Sequence, residues 1–194
     1  MAPSMQAALR EATLALVDAY CAADPAERDR LARLLAHLEE PGDGFLRSNP
    51  KGHMTSSALV LNAEQTHVLL IHHRFLDLWL QPGGHYEPPG SLWDSACREV
   101  AEETGVSGIV MHASLRDSGL PIDIDSHPIP DRPSKGEPPH WHHDLCFLAT
   151  APGAHALESQ ADEIHDVRWV PVEALATMSN PRMARLGRKL AARN

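Results

Sequence analysis

Residues 83–106 read Gly-Gly-His-Tyr-Glu-Pro-Pro-Gly-Ser-Leu-Trp-Asp-Ser-Ala-Cys-Arg-Glu-Val-Ala-Glu-Glu-Thr-Gly-Val, a glycine loop running into a helix that closes on acidic residues. Ser91 is a good N-cap, Asp94 three residues on can reach back to it, and Gly105 suits the left-handed residue that ends a helix, so the spacing predicts a helix over 92–104. At about 100° per residue, Leu92, Trp93, Ala96, Cys97, Val100 and Thr104 fall on one side, with Glu99, Glu102 and Glu103 clustered beside them. Carboxylates at i,i+3 and i,i+4 repel by a few tenths of a kcal/mol each, and a hard divalent cation removes that penalty. Carboxylate oxygens are what magnesium or manganese prefers. Taken alone, an acidic run of this kind reads as a solvated face.

The loop before the helix changes that reading. Gly83 and Gly84 allow close backbone approach to a ligand, Pro88-Pro89-Gly90 makes a stiff turn, and Arg98 can fork into loop carbonyls or pair with a carboxylate. Together these residues resemble the Nudix box: a glycine, five residues, a glutamate, seven residues, then Arg-Glu-aliphatic-any-Glu-Glu-any-Gly-aliphatic. Gly84 opens the pattern, and Arg98, Glu99, Val100, Glu102, Glu103, Gly105 and Val106 fall in their places. The early glutamate is replaced by Gly90, and the nearest acid, Glu87, sits three residues before it. That departure bears on rate and loop rigidity more than on the chemistry.

The resemblance implies an α/β fold, an α/β/α sandwich around a mixed sheet, covering about residues 54–180. It implies hydrolysis of a diphosphate linkage in a nucleoside diphosphate joined to another moiety, dependent on Mg²⁺ or Mn²⁺. Its expected metal ligands are Glu99, Glu102 and Glu103 with the Gly84 carbonyl, and Arg98 orients loop and ligands. Gly83, Gly84 and His85 would meet the substrate. For the general base we select Glu163, with Glu158 in reserve; each also reads as surface charge. A module of the same fold that binds nucleotides with weak or no turnover is the alternative, and Gly90 is what favours it.

Ahead of this region, residues 5–22 carry a helical stripe. Asp24-Pro25-Ala26-Glu27 then supplies an N-cap, a first-turn proline and a capping glutamate before Leu31, Leu34, Leu35 and Leu38. We read residues 1–50 as a helical hairpin and linker, and 54–194 as the hydrolase domain with C-terminal helices. The hairpin can serve as a homodimer contact, a lid or cover for a sheet face. Residues 57–61 and 67–71 read as a β-hairpin around Asn62-Ala63-Glu64-Gln65, with further strands at 108–115, 142–150 and 167–170 and a Pro- and Asp-rich loop over 116–139. Helices follow at Pro171 and after Asn180.

Thirteen histidines stand out. On a strand of period two, His140, His142 and Asp144 share one face, which could hold zinc or place donors for phosphate; we assign His142 and Asp144 to substrate contact. His72, His73 and Arg74 end an earlier strand and could also face an anion. A net charge of −9 argues against nucleic-acid binding. Cys21, Cys97 and Cys146 have no CxxC spacing and fit a reducing cytoplasm, with the cysteines of the helix and the strand as small buried groups. With no long apolar run, no membrane partner is expected.

Overall fold

The computed structural model describes residues 3–133, 136–153, 156–159 and 164–193. Helix α1 (Pro3–Ala23), a 3₁₀ turn (Pro25–Glu27) and α2 (Ala32–Glu39) come first. The sheet follows: β1 (Gly52–Leu61), β2 (His67–His73), β3 (Leu78–Leu80), β4 (Gly83–His85), β5 (Val110–Met111), β6 (Asp123–Ile129), β7 (His140–Thr150) and β8 (Ile164–Pro171). Helix α3 (Leu92–Thr104) lies between β4 and β5, α4 (Ala113–Arg116) follows β5, and α5 (Val172–Leu175) and α6 (Pro181–Ala191) end the described chain.

Strand β1 is the hub. It runs antiparallel to β2 and β4 and parallel to β7, and all ten of its residues are buried. Burial on both faces is why its sequence looks apolar rather than alternating. The two faces still separate by parity. Ala58, Val60, Leu69, Leu145 and Phe147 pack under α1, α2 and α3 with Val17, Leu34, Leu38 and Val100. Leu59, Leu61, Val68, Leu70 and Leu148 pack under α5 and α6 with Leu175, Met183, Leu186 and Leu190. This is the expected α/β/α sandwich with a mixed sheet. Each fully buried aliphatic side chain contributes about 1.5–3 kcal/mol of hydrophobic stabilisation.

The local reading of α3 holds in detail. Ser91 and Asp94 form a reciprocal capping box, and Gly105 ends the helix at φ 73°. The Asn62–Gln65 turn joins β1 to β2 with Leu61 opposite Val68. Three expectations change. The first strand begins at Gly52 rather than 57. The strand expected over 108–115 is only Val110–Met111, because His112 accepts a hydrogen bond from the Ser114 N–H and caps α4. The loop expected over 116–139 contains β6, paired among the described residues with β7 alone, and such an edge position tolerates Pro128. Cys146 is buried as expected, Cys97 only half-buried.

The two helical layers meet at β6 through charge. Asp123, fully buried, accepts from Arg185 (2.8 Å), Lys189 (2.7 Å) and Arg30 (3.1 Å), so α6 and the segment before α2 clasp one carboxylate. Among the described residues no helix is long and apolar enough to cross a membrane.

Candidate active site

The polar ends of β1 and β7 build the floor of a cavity. On the face that carries Leu59 and Leu61 deeper in the sheet, the same parity places His53, Thr55 and Ser57 on β1 and His142 and Asp144 on β7. Asp144 is buried, and its carboxylate accepts from Thr55 Oγ1 (2.9 Å), Ser57 Oγ (2.6 Å) and the Arg182 guanidinium. These donors occupy both oxygens, which removes Asp144 from any zinc set with His140 and His142. The cavity, about 530 Å³, is lined by Gly83, Gly84, Glu99, Glu103 and Asp144, by Arg47, Arg74, Arg132 and Arg182, and by His73, His85, His127 and His142.

The glycine loop and α3 lock together through small contacts. Gly83 and Gly84 pair with Ser57 and Ser56 of β1, and the Gly83 N–H donates to Glu103 Oε2 at 2.9 Å. A Cβ on Gly83 would lie 2.5 Å from the Ser57 Cα, and one on Gly84 would lie 2.4 Å from the Glu99 carboxylate. Glycine is required at both positions for close approach, to backbone in one case and to a carboxylate in the other. Arg98 donates to the His85 carbonyl (3.0 Å), Glu99 (2.9 Å) and Glu102 (2.8 Å), and lies 3.7 Å from Glu87. Glu87 thus approaches the arginine from the loop, while a Cβ on Gly90 would meet Asp94 at 3.0 Å.

The three box carboxylates differ in setting. Glu103 is 4 % exposed and Glu99 half-buried, and both line the cavity; the Glu102 side chain is half exposed at the outer edge, holding Arg98. Burial pushes the Glu99 carboxyl up from the ordinary range, against the pull of Arg98. Burial would pull Arg98 down, but Glu99, Glu102 and Glu87 outweigh it and hold the guanidinium above its usual value. A cation near Glu99 would relieve its desolvation, and the donors here, carboxylates and backbone carbonyls, are the hard oxygens that magnesium and manganese take. The residues therefore fit the ion that the box implies.

His85 and His142 lie in the cavity wall beside His53, and burial lowers all three, His53 to about 3 and His85 to about 4. His73 and Arg74 also line the cavity, whereas His72 stacks on Trp79 and pairs with Asp77 at 3.0 Å. Glu163 lies outside the described residues. Glu158 is exposed beside Gly105 and does not line the cavity. Sequence reasoning missed Arg47, Arg132 and Arg182 in the cavity wall. Their contributing segments are far apart in the chain, and no local pattern marks them.

Fold and site together define a hydrolase of pyrophosphate bonds, and a NUDIX domain profile matches residues 51–190: the chain belongs to the Nudix family. Among curated proteins it is 30 % identical over 147 residues to a probable DHNTP pyrophosphohydrolase from Lactococcus lactis subsp. cremoris (strain MG1363), an alignment spanning 75 % of this chain and 80 % of the relative. Its fold is similar to that of a NUDIX-family hydrolase from Clostridium perfringens (TM-score 0.53, 22 % identity, 73 % of this chain and 95 % of that one). It is also similar to the NUDIX domain of Shewanella oneidensis NrtR in complex with ADP ribose (TM-score 0.50, 22 % identity, 84 % and 97 %).

Proposed function

We propose that the chain is a Mg²⁺- or Mn²⁺-dependent hydrolase that cleaves the diphosphate linkage of a small molecule carrying a planar heterocycle, of the nucleoside-diphosphate-X or pterin triphosphate kind. The observation that carries this is a cavity lined both by the box acids Glu99 and Glu103 and by Arg47, Arg74, Arg132 and Arg182, in a chain of net charge −9. An acidic protein that assembles arginines around one cavity has built a place for an anion.

Glu99 and Glu103, with Glu102 and the Gly84 carbonyl, would hold the cation. Such an ion supplies charge neutralisation of the diphosphate and a lowered water pKa. The chain's own residues do the rest. Arg98 fixes Glu99, Glu102 and the His85 carbonyl in one arrangement, and the Gly83 N–H holds Glu103. Thr55 and Ser57 hold Asp144, which holds Arg182 at the cavity floor, where its charge would face phosphate oxygens. His85 and His142, kept neutral by burial, line the cavity without adding charge. At the rim Phe75 is half exposed with the Arg132 guanidinium 4.3 Å over its ring, a platform on which a heterocycle can stack. Glu163 is our choice of general base. The acidic chain, with three free cysteines, suits a reducing cytoplasm.

The Lactococcus relative puts dihydroneopterin triphosphate first on a substrate panel, and the NrtR complex puts ADP-ribose second. The test is product release across that panel and nucleoside di- and triphosphates, with Mg²⁺ or Mn²⁺. We expect cation-dependent cleavage, reduced by orders of magnitude in Glu103→Gln. Binding of a panel member with no cleavage of any would establish the module without turnover and direct attention to Gly90.

A further inference from the structure

We propose that His53, His85 and His142 form a second metal site, for a borderline divalent ion of the zinc class, separate from the carboxylate helix. This does not rest on the hydrolase reading, since the site uses none of Glu99, Glu102 and Glu103.

The strand register creates it. His53 and His142 are direct partners in the parallel β1–β7 pair, and His85 sits opposite Thr55, which shares a face with His53. One ligand atom from each of the three rings lies within 4.8 Å of the others. Ring centroids are 4.7 Å apart for His53 and His142, 4.9 Å for His53 and His85, and 5.1 Å for His85 and His142. Zinc–nitrogen bonds of about 2.0–2.1 Å in a tetrahedron put ligand nitrogens roughly 3.4 Å apart. Side-chain rotations that draw the rings together by about an ångström would close the set.

His53 supplies an independent observation. It is 1 % exposed, and neither of its ring nitrogens makes a hydrogen bond of full geometry, the Asn49 backbone offering only a weak contact. Each buried polar atom left unmatched costs about 1–3 kcal/mol, so a ring this poorly matched is expensive to bury with no ligand. A metal would take the lone pair.

The neighbouring ring sets the tautomer. His140 Nδ1 lies 2.8 Å from the Pro138 carbonyl, which only accepts, so Nδ1 carries the hydrogen. In the neutral ring Nε2 is then bare and accepts from His142 Nε2–H at 3.1 Å, leaving His142 Nδ1 with a free lone pair. An outer hydrogen bond of this kind is what metal-bound histidines usually make. Imidazoles without a carboxylate favour zinc, nickel or copper over magnesium or manganese. Because His85 and His142 line the cavity, the remaining coordination position would open toward it.

The experiment uses the full chain, purified without chelator, with Co²⁺ as a visible probe and Zn²⁺ in calorimetry and thermal melts. We expect one equivalent of Co²⁺ to give the visible absorption of nitrogen ligation, and Zn²⁺ to raise Tm. Both should persist in Glu103→Gln. In His85→Asn and His142→Asn affinity should fall about 100-fold or more, beyond the ~10–100-fold of an outer-shell change. His85 is half-buried, so that variant should fold, which circular dichroism checks. No Co²⁺ band and no Zn²⁺-dependent Tm shift in the unsubstituted chain would overturn the site. So would binding that survives both histidine variants and disappears in Glu103→Gln.

Discussion

Replacing Gly84 with alanine tests how tightly the Glu99 carboxylate, a metal ligand in the proposed function, must be placed. The new Cβ would sit 2.4 Å from the Glu99 carboxylate, and ordinary contact begins at 3.4 Å, so the carboxylate must retreat by about 1 Å. Gly84 cannot move instead, because β4 is paired to β1 on its other side. A misplacement of about 1 Å at a reacting centre lowers rate roughly 100-fold, about 2.7 kcal/mol of transition-state stabilisation. Stability should change little, because what yields is the end of a side chain. Gly83→Ala is the control. Its Cβ would lie 2.5 Å from the Ser57 Cα and 2.7 Å from the Ser56 carbonyl, so backbone must part, at about 1–3 kcal/mol of folding stability. Initial rates at saturating substrate and cation, with urea unfolding of both variants, separate the two effects. A Gly84→Ala enzyme whose rate stays within about threefold of the parent, with unchanged cation affinity, would refute the placement argument.

Asp123→Asn should destabilise the fold by about 3 kcal/mol, because Arg185, Lys189 and Arg30 would lose the one carboxylate they share; urea unfolding measures it, and a change under about 1 kcal/mol would contradict the clasp. Stability should fall as pH drops from about 6.5 toward 4. The folded chain keeps His53 and His85 neutral down to about 3 and about 4, while the unfolded chain takes up their protons near 6.5, up to roughly 1.4 kcal/mol per ring per pH unit. The effect is absent above pH ~7, and an unfolding midpoint unchanged between pH 7.5 and 5 would exclude it. The lowered Asp123 and Asp125 carboxyls act in the other window: their contribution is intact above about pH 4 and is lost below it. Phe75→Ala should raise KM several-fold and leave kcat within about twofold, since the ring stands at the rim; an equal loss in kcat would place it nearer the reaction.

What could be read from the chain was what is local. Cap, capping box and terminal glycine bracket the thirteen residues of α3, and the clustering of its carboxylates follows from helical period alone. Strand β6 was hidden by its composition: Asp123 and Asp125 look like loop residues until the partners that neutralise them, three of them 60 or more positions away, are in place. The same holds for the cavity arginines. His53 looked like linker because its meaning comes from a register with His142, 89 positions later, which no period in either segment announces.

Arg182 has a consequence in time. It stands at the start of the last helix, so the ribosome makes it after every strand of the sheet. A nascent chain can pair β1 with β7 and seat Thr55 and Ser57 against Asp144 while that carboxylate still lacks its guanidinium partner. The floor of the cavity then carries an uncompensated negative charge, which would repel the anionic substrate proposed for the finished protein. On that proposal, ligand capture would wait for completion of synthesis through a single side chain.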